Sequence, residues 1–502
     1  MITVNADWQK SKDVVRQVIT QTRFNLVGIG VTAFNRIGPA LIADNFEIIC
    51  HKTSTDLPYL RKQAKVTTIA ESWPENLWQT RMNTLAILKH EGVQSYLKSL
   101  GKVGIFVYKT SERVDAICEQ NNWQLVGNSS TIRDKYENKK LFREIGKRIG
   151  MDLIAGETLM IGALDEARFL QFQQALGEKL VFQLTELSKG GGAGTFFVNN
   201  LEDLSRFKKV VKEKIEIEGK ELREVNITRF VDGISGSITG CITHKGVLTT
   251  PVQTQVVDVP ELVADRGKSG VFRGHDWSLY HYSEKIQMQA SKLAERLGSE
   301  MAKDGYKGIF GIDLIIDRDN DMVFPVECNP RYTGAFPVYS LLQNELNEVP
   351  LDAFQLLEHL GIEYDFDLEV VNQSWKTPKH GAHLVLHNPD FDNWVKATGE
   401  LRAGVLTLRH GQLEWLREGW QMTDLQADDE FILTDGCPAP GDLIKPHLRT
   451  GKLIFKGGVL EGRHDQLNDY ARQVVKAVKK RFNFVRVEPP VDDWKVDHPN
   501  QE

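Results

Sequence analysis

Apolar and polar positions divide the chain into three stretches of different texture. In the first, short apolar runs recur at 24–30 (FNLVGIG), 46–51, 66–69, 103–108 and 124–126, which read as buried strands. Helix-like patterns lie between them at 35–42, 75–100 and 111–121. Alternating β and α elements predict an open, mostly parallel sheet over residues 1–130. Gly28 and Gly30 end the first strand, but no third glycine follows at fingerprint spacing and no acid ends the second strand. They therefore read as packing glycines rather than a dinucleotide turn.

The second stretch opens with a helix from about Thr131 to Gly150 that carries Asp134, Lys135, Lys139 and Lys140. A strand at 179–187 (KLVFQLTEL), a loop at 188–194 (SKGGGAG) and a returning strand at 195–198 follow. Gly190, Gly191, Gly192 and Gly194 leave backbone N–H groups able to close on an anion, and Lys189 adds a charge. No Gly-Lys-Ser/Thr follows, so this is not a Walker loop. Strands at 225–231 and 237–243 flank Asp232-Gly233, and a long helix is predicted over 283–303, ended by Gly305.

The strongest chemical signal is GIFGIDLIID, a polar turn, then MVFPVECNPR, over 308–331. Two apolar runs around a turn predict a β-hairpin, with Asp313 in one strand and Glu327 and Asn329 on one face of the other. Asp313 faces Glu327 only if the turn is odd in length or a bulge intervenes. Carboxylates in an apolar hairpin are costly unless a cation compensates them. Two acids and an amide suit Mg²⁺ or Mn²⁺, whose shell is then completed by nucleotide phosphates and water. Pro325 weakens the second strand, because it removes a ladder donor.

In the third stretch 353–360 is helical, 361–379 reads as a polar linker, and short strands follow from 381, closed by an amphipathic helix at 466–481. Trp415 and Trp420 read as packing residues. The 502-residue length suggests about three domains. With 41% hydrophobic and 26% charged residues and a net charge of −6, the composition is that of an ordinary globular protein and gives no reason to expect nucleic acid. Five scattered cysteines without CxxC pairing suggest neither a disulfide framework nor a zinc site. No signal-like leader and no membrane-length apolar run stand out, so the expectations are no membrane and a cytoplasmic location.

Taken in order, these pieces resemble the ATP-grasp superfamily, most strongly over 131–340, with IDLIID and VECNPRYTG as the most specific part. The resemblance implies a fold of α/β and α+β class: a Rossmann-like pre-ATP-grasp domain at 1–130, an ATP-grasp domain at 131–365, a small β-rich C-terminal domain at 366–487, and a polar tail at 488–502. It implies ATP and Mg²⁺ (or Mn²⁺) as cofactors, with Asp313, Glu327 and Asn329 as metal ligands and Arg331 stabilising charge near the transferred phosphoryl group. Lys135 falls where a nucleotide-phosphate lysine often sits. The lid is 188–195, from Lys189 through Gly194 to Thr195, and adenine is expected against Thr228, Arg229, Phe230 and Val231, bonded to main chain at Arg229 and Val231. Two departures stand out: Gln183 occupies the place of a second phosphate lysine, and Thr228 that of an acidic residue. The C-terminal stretch is similar to the domain that follows in biotin-carboxylase-like members, although a biotinyl Met-Lys-Met is absent.

The implied activity is carboxylate–amine ligation through an acylphosphate, giving an amide or peptide bond. The substrates would be a small-molecule carboxylate and an amine, with amino acids or small peptides as the favoured acids and a homodimer as the carried option. Arg266, Lys268, Arg273 and His275 form a basic, glycine-punctuated stretch that could reach the acid substrate. The competing readings are phosphoryl transfer without ligation and a nucleotide-binding regulatory module, the latter favoured by Gln183.

Overall fold

A computed structural model describes residues 1–74, 82–185, 194–218, 222–262, 270–278, 282–461 and 464–489. Five parallel strands form the amino-terminal sheet, in the spatial order Lys65–Thr68, Phe46–Cys50, Asn25–Gly30, Val103–Phe106, Gln124–Leu125. Packing fixes both glycines of its first strand. A Cβ at Gly28 would lie 2.8 Å from the Phe46 ring, and one at Gly30 would lie 2.0 Å from the Arg36 guanidinium. The stretch expected as one helix over 75–100 holds two, Thr84–Lys89 and Glu91–Ser99, separated at His90 in an extended conformation; residues 75–81 lie outside the described residues.

The helix expected from Thr131 to Gly150 is also two, Ser130–Glu137 and Lys139–Arg148. Asn138 breaks it at φ −68°, ψ 119°, and its side chain accepts from the N–H groups of Lys140 and Leu141. A cap of this kind contributes about 1 kcal/mol. It also turns the second helix away from the first, so Lys135 and Lys139 face different surroundings.

A four-stranded antiparallel sheet follows, ordered Gly156–Met160, Glu224–Arg229, Leu180–Leu184, Thr195–Val198, with a separate apolar core that includes Phe169, Phe182 and Phe207. The acidic hairpin, Gly308–Asp317 and Val323–Asn329, forms one end of a far larger sheet. That sheet continues through Gly233–Thr243, Gln253–Val257 and Phe272–Asp276, then crosses directly to Ala382–His387 and on through Arg449–Phe455, Glu430–Thr434, Gly404–Arg409 and Gln412–Arg417. His275 pairs with His383 across the crossing. Gly274 permits the close approach, since a Cβ there would lie 1.9 Å from the His383 carbonyl oxygen. The helix Glu284–Lys303, capped by Ser283, packs on the hairpin side of the sheet.

The polar stretch at 361–379 is not a linker. It contains the helix Leu368–Trp375, whose Trp375 is buried and donates its indole N–H to the Val349 carbonyl at 2.9 Å. Lys379 is buried against Glu348 at 2.7 Å. A polar composition reads as a linker here because burial falls on a few residues, chiefly Tyr364, Phe366 and Trp375. From Ala382 the chain is β-rich, and the helix Asp469–Phe482 closes it. All five cysteines are buried free thiols. Among the described residues no helix is long and apolar enough to cross a membrane.

Candidate active site

The hairpin builds the acidic floor. Ile316 pairs with Val323 and Leu314 with Pro325, a register that would set Asp313 opposite Val326. A bulge between Asp313 and Leu314 absorbs Val326 and brings Asp313 opposite Glu327 instead. Pro325 is tolerated because its strand is the edge of the sheet, where a missing donor costs least. Ser237 is the cross-strand partner of Asp313, and Gln253 that of Ser237, so one polar row crosses four strands from Glu327 to Gln253.

Asp313 accepts from Gln255 Nε2 at 2.9 Å and from Asn329 Nδ2 at 3.1 Å. Burial and the facing Glu327 push its carboxyl well above the ordinary carboxylate range. Such a pair is unfavourable without a cation and well suited to one. Lys139 approaches Glu327 at 3.5 Å, and Arg331 donates from Nη2 to Asn329 Oδ1 at 2.7 Å. Among the described residues no group of three or more His, Cys, Asp or Glu side chains gathers as a metal cage. The oxygen set is two carboxylates and one amide, which suits an ion that also takes phosphate and water.

These residues line a cavity of about 460 Å³, within the range of small-molecule sites. Its lining also includes the apolar residues Ile154, Val181, Phe197, Phe230, Val231 and Val257, and the Phe197 and Phe230 rings lie 5.8 Å apart, edge to face. The same cavity gathers Gln183, Gly194, Thr195, Thr228, Arg229, Phe230, Val231, His275, Asp313, Glu327, Asn329 and Arg331.

Four expectations need correction. Lys135 lies outside the cavity, 2.5 Å from Asp304 at the end of the long helix; the break at Asn138 presents Lys139 to the cavity instead. Arg273 also lies outside it, donating from Nε to the Leu262 carbonyl at 3.0 Å and lying over the Phe391 ring. The Arg229 N–H cannot serve a bound base, because it donates to the Ala155 carbonyl at 3.0 Å, and the Phe230 N–H likewise serves Lys179. His275 lines the cavity but is no cation: burial, with Lys452 nearby, lowers it to about 3. Lys189, Gly190, Gly191, Gly192, Arg266 and Lys268 lie outside the described residues.

Ser235, Ser237, Thr239, Gln253 and Gln255 line the cavity and were not singled out from the sequence. Donors and acceptors there are ordered. Trp277 donates to Gln253 Oε1 at 2.7 Å, so Gln253 Nε2 donates to Ser237 Oγ at 2.8 Å, and the Ser237 hydroxyl is left to donate toward His275 or a bound molecule. Alternation of small polar residues along 235–239 and 253–255 was the available signal.

The comparisons agree with this architecture. Residues 187–335 match the model of the ATP-grasp domain, and the chain has the ATP-grasp fold. Biotin carboxylase from Campylobacter jejuni, solved as a β,γ-ATP complex, is similar at a TM-score of 0.60 and 13% identity, covering 95% of this chain and 98% of that one. The biotin carboxylase domain of the Hydrogenobacter thermophilus 2-oxoglutarate carboxylase, a dimer with MgADP, ADP and bicarbonate, gives 0.59 and 14%, covering 87% and 86%. N5-carboxyaminoimidazole synthase from Aspergillus clavatus, with ADP and aminoimidazole ribonucleotide, gives 0.52 and 13%, covering 91% and 99%. No curated protein sequence matches the chain.

Proposed function

We propose that the protein is an ATP-dependent ligase that activates a carboxylate as an acylphosphate and passes the acyl group to an amine, with release of ADP and phosphate. The carrying observation is the cross-strand pair Asp313 and Glu327 in a cavity that is lined as well by aromatic and apolar side chains. A nucleotide fits that lining. Its base would lie among Phe197, Phe230 and Val231, and its phosphates would run past Gln183, Thr195 and Lys139 toward the acids. The structural relatives were solved with ATP, ADP or MgADP, which supports a nucleotide as the ligand.

Asp313, Glu327 and Asn329 would hold magnesium or manganese, which would neutralise charge on the moving phosphoryl group. Lys139 would meet the phosphates and Arg331 the oxygens of the transferred group. Ser237, Gln253 and Gln255 would orient the acid beside them, so that attack on the γ-phosphorus proceeds from a fixed distance. The lid strands would exclude water from the acylphosphate before the amine arrives. An amino acid or small peptide is the favoured acid, a small amine the acceptor, and a homodimer the assembly carried forward, as in one relative.

The test is a screen of acid and amine pairs with Mg-ATP, including amino acids, short peptides and bicarbonate. The expected products are ADP and phosphate in an amine-dependent reaction, with hydroxylamine trapping a hydroxamate. AMP and pyrophosphate would point to adenylation and overturn the acylphosphate. A stable phosphorylated product without amine would establish phosphoryl transfer alone.

A further inference from the structure

We propose that Glu137 is a positioning residue: it holds Arg331 off the paired carboxylates Asp313 and Glu327 and so keeps them open to a metal–nucleotide complex. The proposal rests on the nucleotide-site reading above and adds a residue that does not line the cavity.

Glu137 ends the helix Ser130–Glu137, and its side chain is only 9% exposed. Three cations converge on it. Arg331 donates from Nε at 3.0 Å, Lys109 lies at 3.0 Å, and Arg133 pairs with it one helical turn away. Burial alone would raise this carboxyl, but Arg331, Lys109 and Arg133 together hold it below its ordinary value. The rest of the Arg331 guanidinium is tied as well, from Nη2 to Asn329 Oδ1 at 2.7 Å and from Nη1 to the Tyr332 carbonyl at 3.2 Å. Among the described residues Glu137 is the only carboxylate within ion-pairing distance of Arg331.

That restraint matters because of what lies next to it. A guanidinium in a cavity beside two carboxylates gains most by forking onto them, since paired, charge-assisted hydrogen bonds are the strongest available there. Arg331 would then occupy the oxygens a divalent cation needs. A carboxylate behind the arginine offsets that pull, and Lys109, from the loop after Val103–Phe106, ties the arrangement to the amino-terminal sheet.

The test measures binding of Mn²⁺·ADP by calorimetry, which needs no knowledge of the acid or amine. Glu137→Gln is expected to bind about tenfold more weakly than wild type. In an Arg331→Met background the same substitution should change affinity by less than about twofold, since coupled residues are non-additive. If Glu137→Gln does not fold, Glu137→Asp takes its place with the same expectations, because it keeps the charge for Lys109 and Arg133 while drawing back from Arg331. Unchanged affinity, or an equal loss in both backgrounds, overturns the proposal. Wild-type protein that binds no Mn²⁺·ADP overturns the nucleotide-site reading itself, and this proposal with it.

Discussion

Asp313 and Glu327 face each other across the hairpin only because a bulge absorbs Val326. Glu327→Gln removes one charge from that pair with almost no change in volume. Turnover should fall by roughly a thousandfold, several kcal/mol at the transition state. Without metal the melting temperature should hold or rise, because the repulsion that raises Asp313 is gone. ADP release and a thermal scan on the same preparation check both parts, and full activity would remove the metal assignment.

The break at Asn138 gives the two lysines opposite fates. Lys139→Met should weaken Mg-ATP binding about tenfold, because it removes the cation beside Glu327. Lys135→Met should leave binding within about twofold and cost at most ~1 kcal/mol of stability, the usual worth of an exposed pair such as that with Asp304. Calorimetric titration of both variants with Mg-ATP decides it.

Gln183 lines the cavity from the strand Leu180–Leu184. Gln183→Lys should tighten ATP binding if the phosphates pass that strand. Equal or weaker affinity would show that Lys139 already supplies the needed charge.

Buried histidines predict acid lability. His275 and His387 are lowered to about 3, and His383 also falls well below the ordinary 6.5, in each case first by burial. Between pH 6.5 and about 3 the unfolded chain binds protons at these sites and the folded chain does not. Stability is therefore fully present above 6.5 and declines as pH falls through that window. Urea midpoints measured across it should drop, and His387→Gln should flatten the slope; a slope unchanged by the substitution would contradict the assignment.

Local chemistry was legible in the sequence wherever one strand or turn determined it. The alternation around Asp313, Glu327 and Asn329 gave their common face, and the condition on an odd turn or a bulge was met by the bulge. Residue spacing could not reveal the kink at Asn138, because capping and helix continuation compete within a fraction of a kcal/mol at an asparagine. The sequence therefore points to Lys135, whereas the lysine that lines the cavity is Lys139. Ser237, Gln253 and Gln255 were missed because each is unremarkable alone and meets Asp313 only through pairing between strands distant in sequence. Arg273 looked like a substrate cation, yet its charge is spent on the carbonyl of Leu262.

The unbroken hydrogen bonding between Phe272–Asp276 and Ala382–His387 has a mechanical consequence. The acidic floor and the carboxyl-terminal strands form one plate, an anvil that cannot hinge at that seam without breaking ladder bonds. Any jaw that closes on a nucleotide must be the separate four-stranded sheet, joined to the plate by covalent turns such as the one at Asp232. A proteolytic cut within 388–393 should leave both fragments associated, because Ala382–His387 on one stays paired with Arg449–Phe455 on the other, as a crack in a plate that is still riveted along its length.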